Sequence, residues 1–320
     1  MIKFGTGGWR AIIGEEFTKE NIQKLALAMS LKIKAEHVED KPVVIGYDRR
    51  FLSKEAVIWS CEILGQQGIR VLFVDRSSPT PLIMFYVMKH DLSYGMMVTA
   101  SHNPAIYNGI KVFTRGGRDA DEHQTADIEK YLEQAEKLYV PDPEENGQMP
   151  PHAYQELVKS GRVVEMNPMN EYLDNIISLI NLDAIRERDL RIAIDPMYGV
   201  SLTALCTILS IARCTVETIN SQHDTLFGGK MPAPTESTLR SLQNYVLDRY
   251  CDIGIATDGD ADRLGVIDDK GHYLHANTIL VMLYYYLLKY RGWRGPAVRN
   301  LSTTHVLDKV AESFGQKCYE

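Results

Sequence analysis

The sequence contains few cysteines, and their spacing indicates no pairing. The five cysteines, at positions 61, 206, 214, 251 and 318, are scattered along the chain and form no C-x-x-C motif. A disulfide framework is therefore not predicted, and we expect free thiols in a reducing cytoplasm. The first ten residues are rich in glycine and have no apolar core, so they do not resemble a secretory signal peptide.

Long apolar runs and excess positive charge are also missing. The longest apolar stretch, 278–288, is too short to span a bilayer and predicts a buried helix, so we expect no membrane partner. The formal net charge is −7, which disfavours a nucleic-acid partner. A site for an anionic metabolite would have to be built locally from Arg, Lys, backbone N–H groups and a metal ion.

The remaining pattern is that of an α/β protein. Apolar residues at helical spacing follow Thr18, a predicted N-cap, and a second helix is predicted to be capped by Ser53. Short β-branched or apolar runs at 43–45 and 94–99 predict strands between such helices. The alternation predicts repeated three-layer α/β/α domains with mixed, largely parallel sheets.

The alternation also suggests how the chain divides into domains. A proline-rich acidic segment at 140–151 resembles a linker, and three strand–loop–helix echoes suggest repeated units. We predict domains at 1–150, 151–267 and 268–320. The third unit offers one helix at 278–288, a strand at 297–301 and one further helix. So small a unit could not cover a sheet on both faces, so we expect it to be incomplete.

Two polar loops that follow predicted strands carry the chemistry. The serine loop, residues 99–104, reads T-A-S-H-N-P. Ligands of α/β sheets gather beyond the carboxyl ends of strands, where Ser101 could present its hydroxyl to a cleft. Taken alone, the same residues are also compatible with an ordinary capped turn.

The aspartate loop, residues 257–263, reads T-D-G-D-A-D-R. Carboxylates at three alternate positions, Asp258, Asp260 and Asp262, repel one another unless a cation joins them, and oxygen ligands suit Mg²⁺ or Ca²⁺. An EF-hand is excluded because its sixth position requires glycine, where this loop has Arg263. A solvated acidic turn is the alternative.

Two weaker signals accompany these loops. Residues 5–10, G-T-G-G-W-R, could bring backbone N–H groups and the Arg10 guanidinium close to an anion, although a flexible tail would read the same way. Lys111 follows Ser101 by ten residues on a predicted strand and could reach the same cleft.

In combination, F-G-T-G-G-W-R, T-A-S-H-N-P, N-G-I-K and D-G-D-A-D-R resemble the α-D-phosphohexomutases, the family of phosphoglucomutases and phosphomannomutases. The resemblance implies four domains around a cleft, of which the first three are related α/β units. It implies interconversion of hexose 1-phosphate and 6-phosphate through a phosphoserine and a hexose 1,6-bisphosphate, which also serves as activator.

The resemblance also implies residue roles. Ser101 would be the phosphorylated nucleophile and would hold Mg²⁺ together with the three aspartates of the aspartate loop. Arg10 and Arg263 would bind phosphate, His102 would orient it or assist proton transfer, and Lys111 would act in general acid–base chemistry. We further expect a cytoplasmic protein that binds hexose phosphate, as a monomer, with a dimer as the alternative.

The family's sugar-selecting loop and its last domain are not found in the 320 residues, so we expect little mutase activity from this chain alone. The preferred hexose is not predicted for the same reason. Two other interpretations stay open at this stage. One is a haloacid-dehalogenase-like phosphatase with Asp258 as nucleophile. The other is a non-catalytic remnant that binds sugar phosphate or Mg²⁺.

Overall fold

Strands and helices alternate along most of the computed structural model, which describes residues 2–5, 8–141 and 152–320. The strands are β1 (Trp9–Ile12), β2 (Val43–Tyr47), β3 (Val71–Val74), β4 (Tyr94–Val98), β5 (Tyr107–Thr114), β6 (Arg118–Asp119), β7 (Val163–Met166), β8 (Arg191–Asp195), β9 (Thr215–Thr218), β10 (Ile253–Thr257), β11 (Leu264–Asp268), β12 (Tyr273–Leu274), β13 (Ala297–Val298) and β14 (Cys318–Tyr319). The helices are α1 (Lys19–Ala35), α2 (Ser53–Gln66), α3 (Thr80–Lys89), α4 (Glu122–Leu138), α5 (His152–Lys159), α6 (Met169–Leu179), α7 (Leu182–Arg186), α8 (Leu202–Ile211), α9 (Arg240–Asp248), α10 (Ala276–Lys289) and α11 (Val306–Ser313). The predicted α/β class with mixed sheets is confirmed.

The larger sheet has the order β1-β5-β4-β2-β3-β7, with β6 paired to β5. Strands β2, β3, β4 and the edge strand β7 run parallel, while β5 is antiparallel to both of its neighbours, β4 and the other edge strand β1. Val43 and Ile45 pack into one apolar cluster with α1 and α2, and the intervening Val44 packs into another with α3. Because successive side chains of a strand point to opposite faces, β2 is covered by helices on both sides.

The smaller sheet has the order β12-β11-β10-β8-β9, with β8, β9 and β10 parallel. Leu242 and Val246 of α9 are fully buried against it, together with Ala193 and Ile267 of the sheet. The remaining pair, β13 and β14, forms a separate two-stranded parallel sheet.

The predicted domain limits stay predictions, but one strand crosses the first of them. β7, which lies beyond residue 150, pairs with β3 and extends the larger sheet. Most of the predicted linker, residues 142–151, lies outside the described residues.

The predicted helix caps have different outcomes. The cap at Thr18 is confirmed, because the Asn21 N–H donates to the Thr18 hydroxyl at 3.3 Å. The cap at Ser53 is wrong. The N-cap residue is Leu52, with φ of 61°, and the Ser53 hydroxyl donates to Asp48 Oδ1 at 3.0 Å instead of capping the helix.

Other differences concern the second half of the chain. Helix α9 begins at Arg240, after a turn in which the Thr238 hydroxyl bonds the carbonyls of Ala233 and Thr235. The strand predicted at 297–301 ends at Val298, and the Asn300 side chain accepts hydrogen bonds that turn the chain.

The helix predicted to be buried at 278–288 forms as α10 but is largely uncovered. Leu280, Met282 and Leu283 are 41%, 57% and 52% exposed. None of the helices in the described ranges combines the length and the apolar character that a bilayer crossing requires. Each of the five cysteines is a free thiol.

Candidate functional site

The serine loop and the aspartate loop meet at the carboxyl ends of two strands in different sheets. The serine loop follows β4 of the larger sheet, and the aspartate loop follows β10 of the smaller one. The Ser101 hydroxyl donates to Asp258 Oδ2 at 2.7 Å and lies 3.5 Å from Asp262 Oδ1. Residues more than 150 positions apart in sequence therefore form one polar centre.

The three aspartates of the aspartate loop form a compact acidic cluster. Their ligand atoms lie within 4.8 Å of one another, and Asp258 and Asp260 are fully buried. Burial, and then the charges of Asp260 and Asp262, raise the pKa of Asp258 to about 8. Asp260 Oδ1 is buried without a hydrogen-bond partner. A buried acceptor that faces neighbouring carboxylates and lacks a donor suits a hard divalent cation.

Lys111 supplies the positive charge that this cluster has in the structure. Its Nζ lies 3.0 Å from Asp260 Oδ2 and 2.6 Å from Asp262 Oδ2, and its side chain is 6% exposed. Burial alone would lower the pKa of Lys111, but the two carboxylates outweigh it and raise that pKa. Burial opposes ionisation of Asp260 as well, yet Lys111 and the Thr80 hydroxyl hold the pKa of Asp260 below its ordinary value.

The other predicted residues border the same centre. His102 Nδ1 lies 3.3 Å from Ser101 Oγ, and burial together with Arg263 and Arg10 lowers the pKa of His102. Arg10 Nη1 donates to Asn103 Oδ1 at 2.7 Å, and Arg10 Nε is buried with no hydrogen-bond partner in the part of the chain that the structure describes. Arg263 is 52% exposed, with its Nε 4.0 Å from Asp262. Residues 6 and 7 of the glycine segment lie outside the described residues.

A buried network beneath the serine loop was not predicted from sequence. Asp48 Oδ2 accepts from the Thr99 hydroxyl at 2.6 Å, and the Thr99 oxygen accepts from the Ser101 N–H at 2.8 Å. Ser101 has φ of 51°, which non-glycine residues rarely adopt. Asp48 also follows β2 at the carboxyl edge of the sheet, so the rule that points to Ser101 could have found it.

Further close contacts of the aspartate loop also escaped sequence reasoning. The Thr80 hydroxyl donates to Asp260 Oδ2 at 2.7 Å, and the Thr80 N–H donates to the Asp260 carbonyl at 2.9 Å. A Cβ at Gly259 would lie 2.9 Å from the Ser101 carbonyl, and one at Gly199 would lie 2.6 Å from the Gly259 carbonyl. Glycine at these two positions allows the backbones to approach closely.

Family models match most of the chain. Residues 1–139 match "Phosphoglucomutase/phosphomannomutase, alpha/beta/alpha domain I", and residues 170–271 match domain II of the same family. The chain belongs to the phosphoglucomutase/phosphomannomutase family. The resemblance seen in the sequence motifs is thereby confirmed.

Individual family members agree with this assignment. The chain is 31% identical to a "Probable phosphoglucosamine mutase" of Pyrococcus abyssi over 98% of its length, and 29% identical to a "Phosphoglucomutase/phosphomannomutase" of Thermococcus kodakarensis over 98%. Among solved structures, a putative phosphomannomutase from Thermus thermophilus superposes with a TM-score of 0.86 at 27% identity, over 99% of this chain and 68% of that chain.

The match covers only part of these curated family members. The chain spans 63% of the Pyrococcus protein and 65% of the Thermococcus protein. Family membership favours a mutase over the haloacid-dehalogenase-like phosphatase that the aspartate loop alone had left open.

Proposed function

We propose that this chain carries the phosphoryl-transfer centre of a phosphohexomutase that interconverts hexose 1-phosphate and hexose 6-phosphate. The observation that carries the proposal is the 2.7 Å contact between the Ser101 hydroxyl and Asp258. It brings a hydroxyl nucleophile into an acidic cluster on the carboxyl edges of two sheets. Family membership gives this geometry its reaction class.

The acidic cluster fits Mg²⁺, and we propose that Asp258, Asp260 and Asp262 hold it together with an oxygen on Ser101. Asp260 Oδ1 is buried and has no hydrogen-bond partner among the described residues, and burial followed by the charges of Asp260 and Asp262 raises the pKa of Asp258, so a cation at the cluster would relieve both. When bound, the ion offsets the charge of a phosphoserine and of the transferring phosphoryl group.

The protein residues would then perform the group transfer. The bond between phosphorus and Ser101 Oγ breaks, and a new bond forms between phosphorus and a sugar hydroxyl oxygen. Ser101 Oγ would take a proton from Lys111, and the proton of the sugar hydroxyl would then replace it on Lys111. Lys111, whose pKa is raised by two carboxylates, is protonated at neutral pH and is the donor that we propose. His102, 3.3 Å from Ser101 Oγ, would orient the phosphate or assist proton transfer.

Two arginines are proposed to bind phosphate. Arg10 has a buried, unpartnered Nε, and Arg263 presents a half-exposed guanidinium beside the aspartate loop. Planar guanidinium groups bind phosphate through paired hydrogen bonds. A hexose 1,6-bisphosphate formed in the first transfer would turn over and return its other phosphate to Ser101.

The activity of the isolated chain is a separate question. Because the chain spans less than two thirds of the curated relatives, we expect slow turnover or none from the 320 residues alone. Rapid conversion of glucose 1-phosphate by the purified chain would contradict that expectation.

Peptide mapping tests the proposed nucleophile. The purified chain is incubated with glucose 1,6-bisphosphate and Mg²⁺, and phosphate is located by intact mass and fragmentation. We expect phosphate on Ser101 and none in Ser101→Ala, with Ser53→Ala as a control for a second buried serine, at the start of α2. Phosphate found only at other positions would refute the assignment.

Calorimetry tests the metal site on its own. Replacing Asp258, Asp260 and Asp262 together by alanine should abolish specific Mg²⁺ binding, while Asp269→Ala in the neighbouring turn should not. Unchanged binding in the triple variant would show that the cluster is not the Mg²⁺ site.

A further inference from the structure

A buried arginine lies directly beneath the serine loop. The Arg50 side chain is 0% exposed, and its guanidinium donates four hydrogen bonds to main-chain carbonyls. Two bonds, from Nη2, reach the carbonyls of Ser101 and Asn103 at 2.7 Å each. Two more, from Nη1, reach the carbonyls of Pro104 and Tyr107 at 3.0 Å.

These bonds determine which way the serine loop faces. Because a guanidinium presents its donors in a rigid plane, four carbonyls bonded to it must converge on one point beneath the loop. The Ser101 hydroxyl of the loop held in this way contacts Asp258. The φ of 51° at Ser101 requires continued support of this kind, since a non-glycine residue gains nothing locally from that conformation.

The same guanidinium also contacts a residue from the half of the chain that forms the smaller sheet. The Phe227 ring lies 4.8 Å from the Arg50 Cζ and is 1% exposed. Phe227 also borders the aspartate loop, because a Cβ at Gly259 would lie 3.3 Å from its ring. Arg50 therefore bonds the serine loop on one side and packs on a neighbour of the aspartate loop on the other.

The charge of Arg50 is compensated locally. Its Nε lies 3.3 Å from Asp48 Oδ2, and both side chains are 0% exposed. The same Asp48 carboxylate accepts from Thr99, whose oxygen accepts from the Ser101 N–H. Two routes, one through carbonyls and one through an N–H, thus lead from the Asp48–Arg50 pair to the nucleophile's backbone.

We propose that Arg50 and Phe227 form a positioning pair that holds the Ser101 hydroxyl in register with the aspartate loop. The proposal rests on Ser101 being the nucleophile, and neither member of the pair touches the reacting atoms. Lysine at position 50 would keep the charge but could not bond four carbonyls in one plane. Leucine at position 227 would keep apolar volume and lose the aromatic face.

Arg49, the residue before Arg50, offers a matched control. It also joins the two parts of the molecule, through carbonyls of Tyr198, Ser221 and Gln222 at 3.3–3.4 Å. None of those partners belongs to the serine loop. Arg49→Lys therefore reports what loosening a contact between the sheets does by itself.

The first measurement is amide hydrogen exchange of the full chain. The N–H groups of Ser101, Asn103 and Tyr107 are hydrogen-bonded within or beside the serine loop. We expect Arg50→Lys and Phe227→Leu to speed their exchange by about tenfold or more, which corresponds to about 1.4 kcal/mol of lost local protection. Arg49→Lys should leave them within about threefold of the unmodified protein.

The second measurement is the rate at which Ser101 takes phosphate from glucose 1,6-bisphosphate, with Mg²⁺ affinity measured alongside. A positioning role predicts a rate about tenfold lower or more in Arg50→Lys than in Arg49→Lys, measured at a temperature where thermal unfolding shows both variants to be fully folded. A merely structural role would lower stability and leave the rate unchanged.

The outcomes separate this inference from the proposed function. If the unmodified protein takes no phosphate at Ser101, the proposed function fails, and exchange alone decides whether the pair positions the loop. If serine-loop exchange in Arg50→Lys and Phe227→Leu equals that in Arg49→Lys, the positioning pair is refuted, whatever the phosphorylation result.

Discussion

Replacing Lys111 by methionine should destabilise the metal-free protein by about 3 kcal/mol. The change leaves Asp260, which is 0% exposed, without its cation, and breaking a buried ion pair by removing one partner costs about 3–5 kcal/mol. Asp262 is 28% exposed, so water screens its share, and the lower end of that range applies. At about 2.1 cal/mol/K per residue, 320 residues give an unfolding entropy of about 0.7 kcal/mol/K, so the loss corresponds to a Tm lower by about 4–5 °C.

Thermal unfolding in EDTA at neutral pH measures this loss. Lys130→Met is the matched control, because its side chain is 72% exposed and lies 3.8 Å from Asp127, so we expect a change below about 0.5 kcal/mol. A loss in Lys111→Met no larger than in this control would show that Lys111 does not neutralise the acidic cluster.

Mg²⁺ adds a second, independent part to the same experiment. In the structure Lys111 occupies oxygens of Asp260 and Asp262, so it competes with a bound cation for those ligands. Without that competition, Mg²⁺ should raise the Tm of Lys111→Met by more than it raises the Tm of the unmodified protein. For scale, a ligand at 100 times its Kd stabilises the folded state by about 2.7 kcal/mol. An equal or smaller rise would contradict a shared site.

Three further changes have expected outcomes that stability and mapping assays can check. Thr80→Val removes a buried donor from Asp260 and should cost about 1–3 kcal/mol in chemical denaturation, whereas a neutral result would mean that the contact is dispensable. Gly259→Ala places a Cβ 2.9 Å from the serine-loop backbone and should lower phosphate incorporation by about tenfold or more; full incorporation would show that the loop can yield. Lys32→Met removes the hydrogen bond that lowers the pKa of Asp127. That bond stabilises the fold above about pH 4, and the stabilisation is lost as the pH falls through the depressed pKa, so the variant should lack this acid-dependent part of the stability curve. An acid limb that is the same in both proteins would refute this expectation.

The sequence predicted the site better than it predicted the scaffold that supports it. Ser101 and the three aspartates stand directly after apolar strands, so a rule about strand ends pointed to each loop. Only the resemblance to the phosphohexomutases joined the two loops, because they follow strands of different sheets. From its position alone, Lys111 was predicted as a residue that could reach the cleft, and the family resemblance gave it a general acid–base role. Its burial against two carboxylates depends on the pairing of strand β5 with β4, and no local sequence pattern predicts that pairing.

The support beneath the serine loop could not be predicted in the same way. In the sequence, nothing distinguishes Arg50 from any other charged residue after a strand. Its partners are main-chain carbonyls 51 to 57 residues away, which carry no side-chain signature. Helix α4 was also missed, although Asp121 and Gln124 form a capping box at its start. Its apolar face is narrow, with three buried residues in 17, so periodicity gave little signal.

The site's cost in stability is itself an argument for function. Three carboxylates within 4.8 Å of one another raise the free energy of the folded chain, and well-packed apolar side chains at such positions are often neutral or stabilising. The structure adds to that cost a serine with φ of 51° and an Asp260 oxygen that lacks a donor. A purely structural loop would relieve each of these features by ordinary substitutions. Their coincidence around one hydroxyl is expected if a cation and a phosphoryl group complete the site, because both supply the compensating interactions that the protein alone does not.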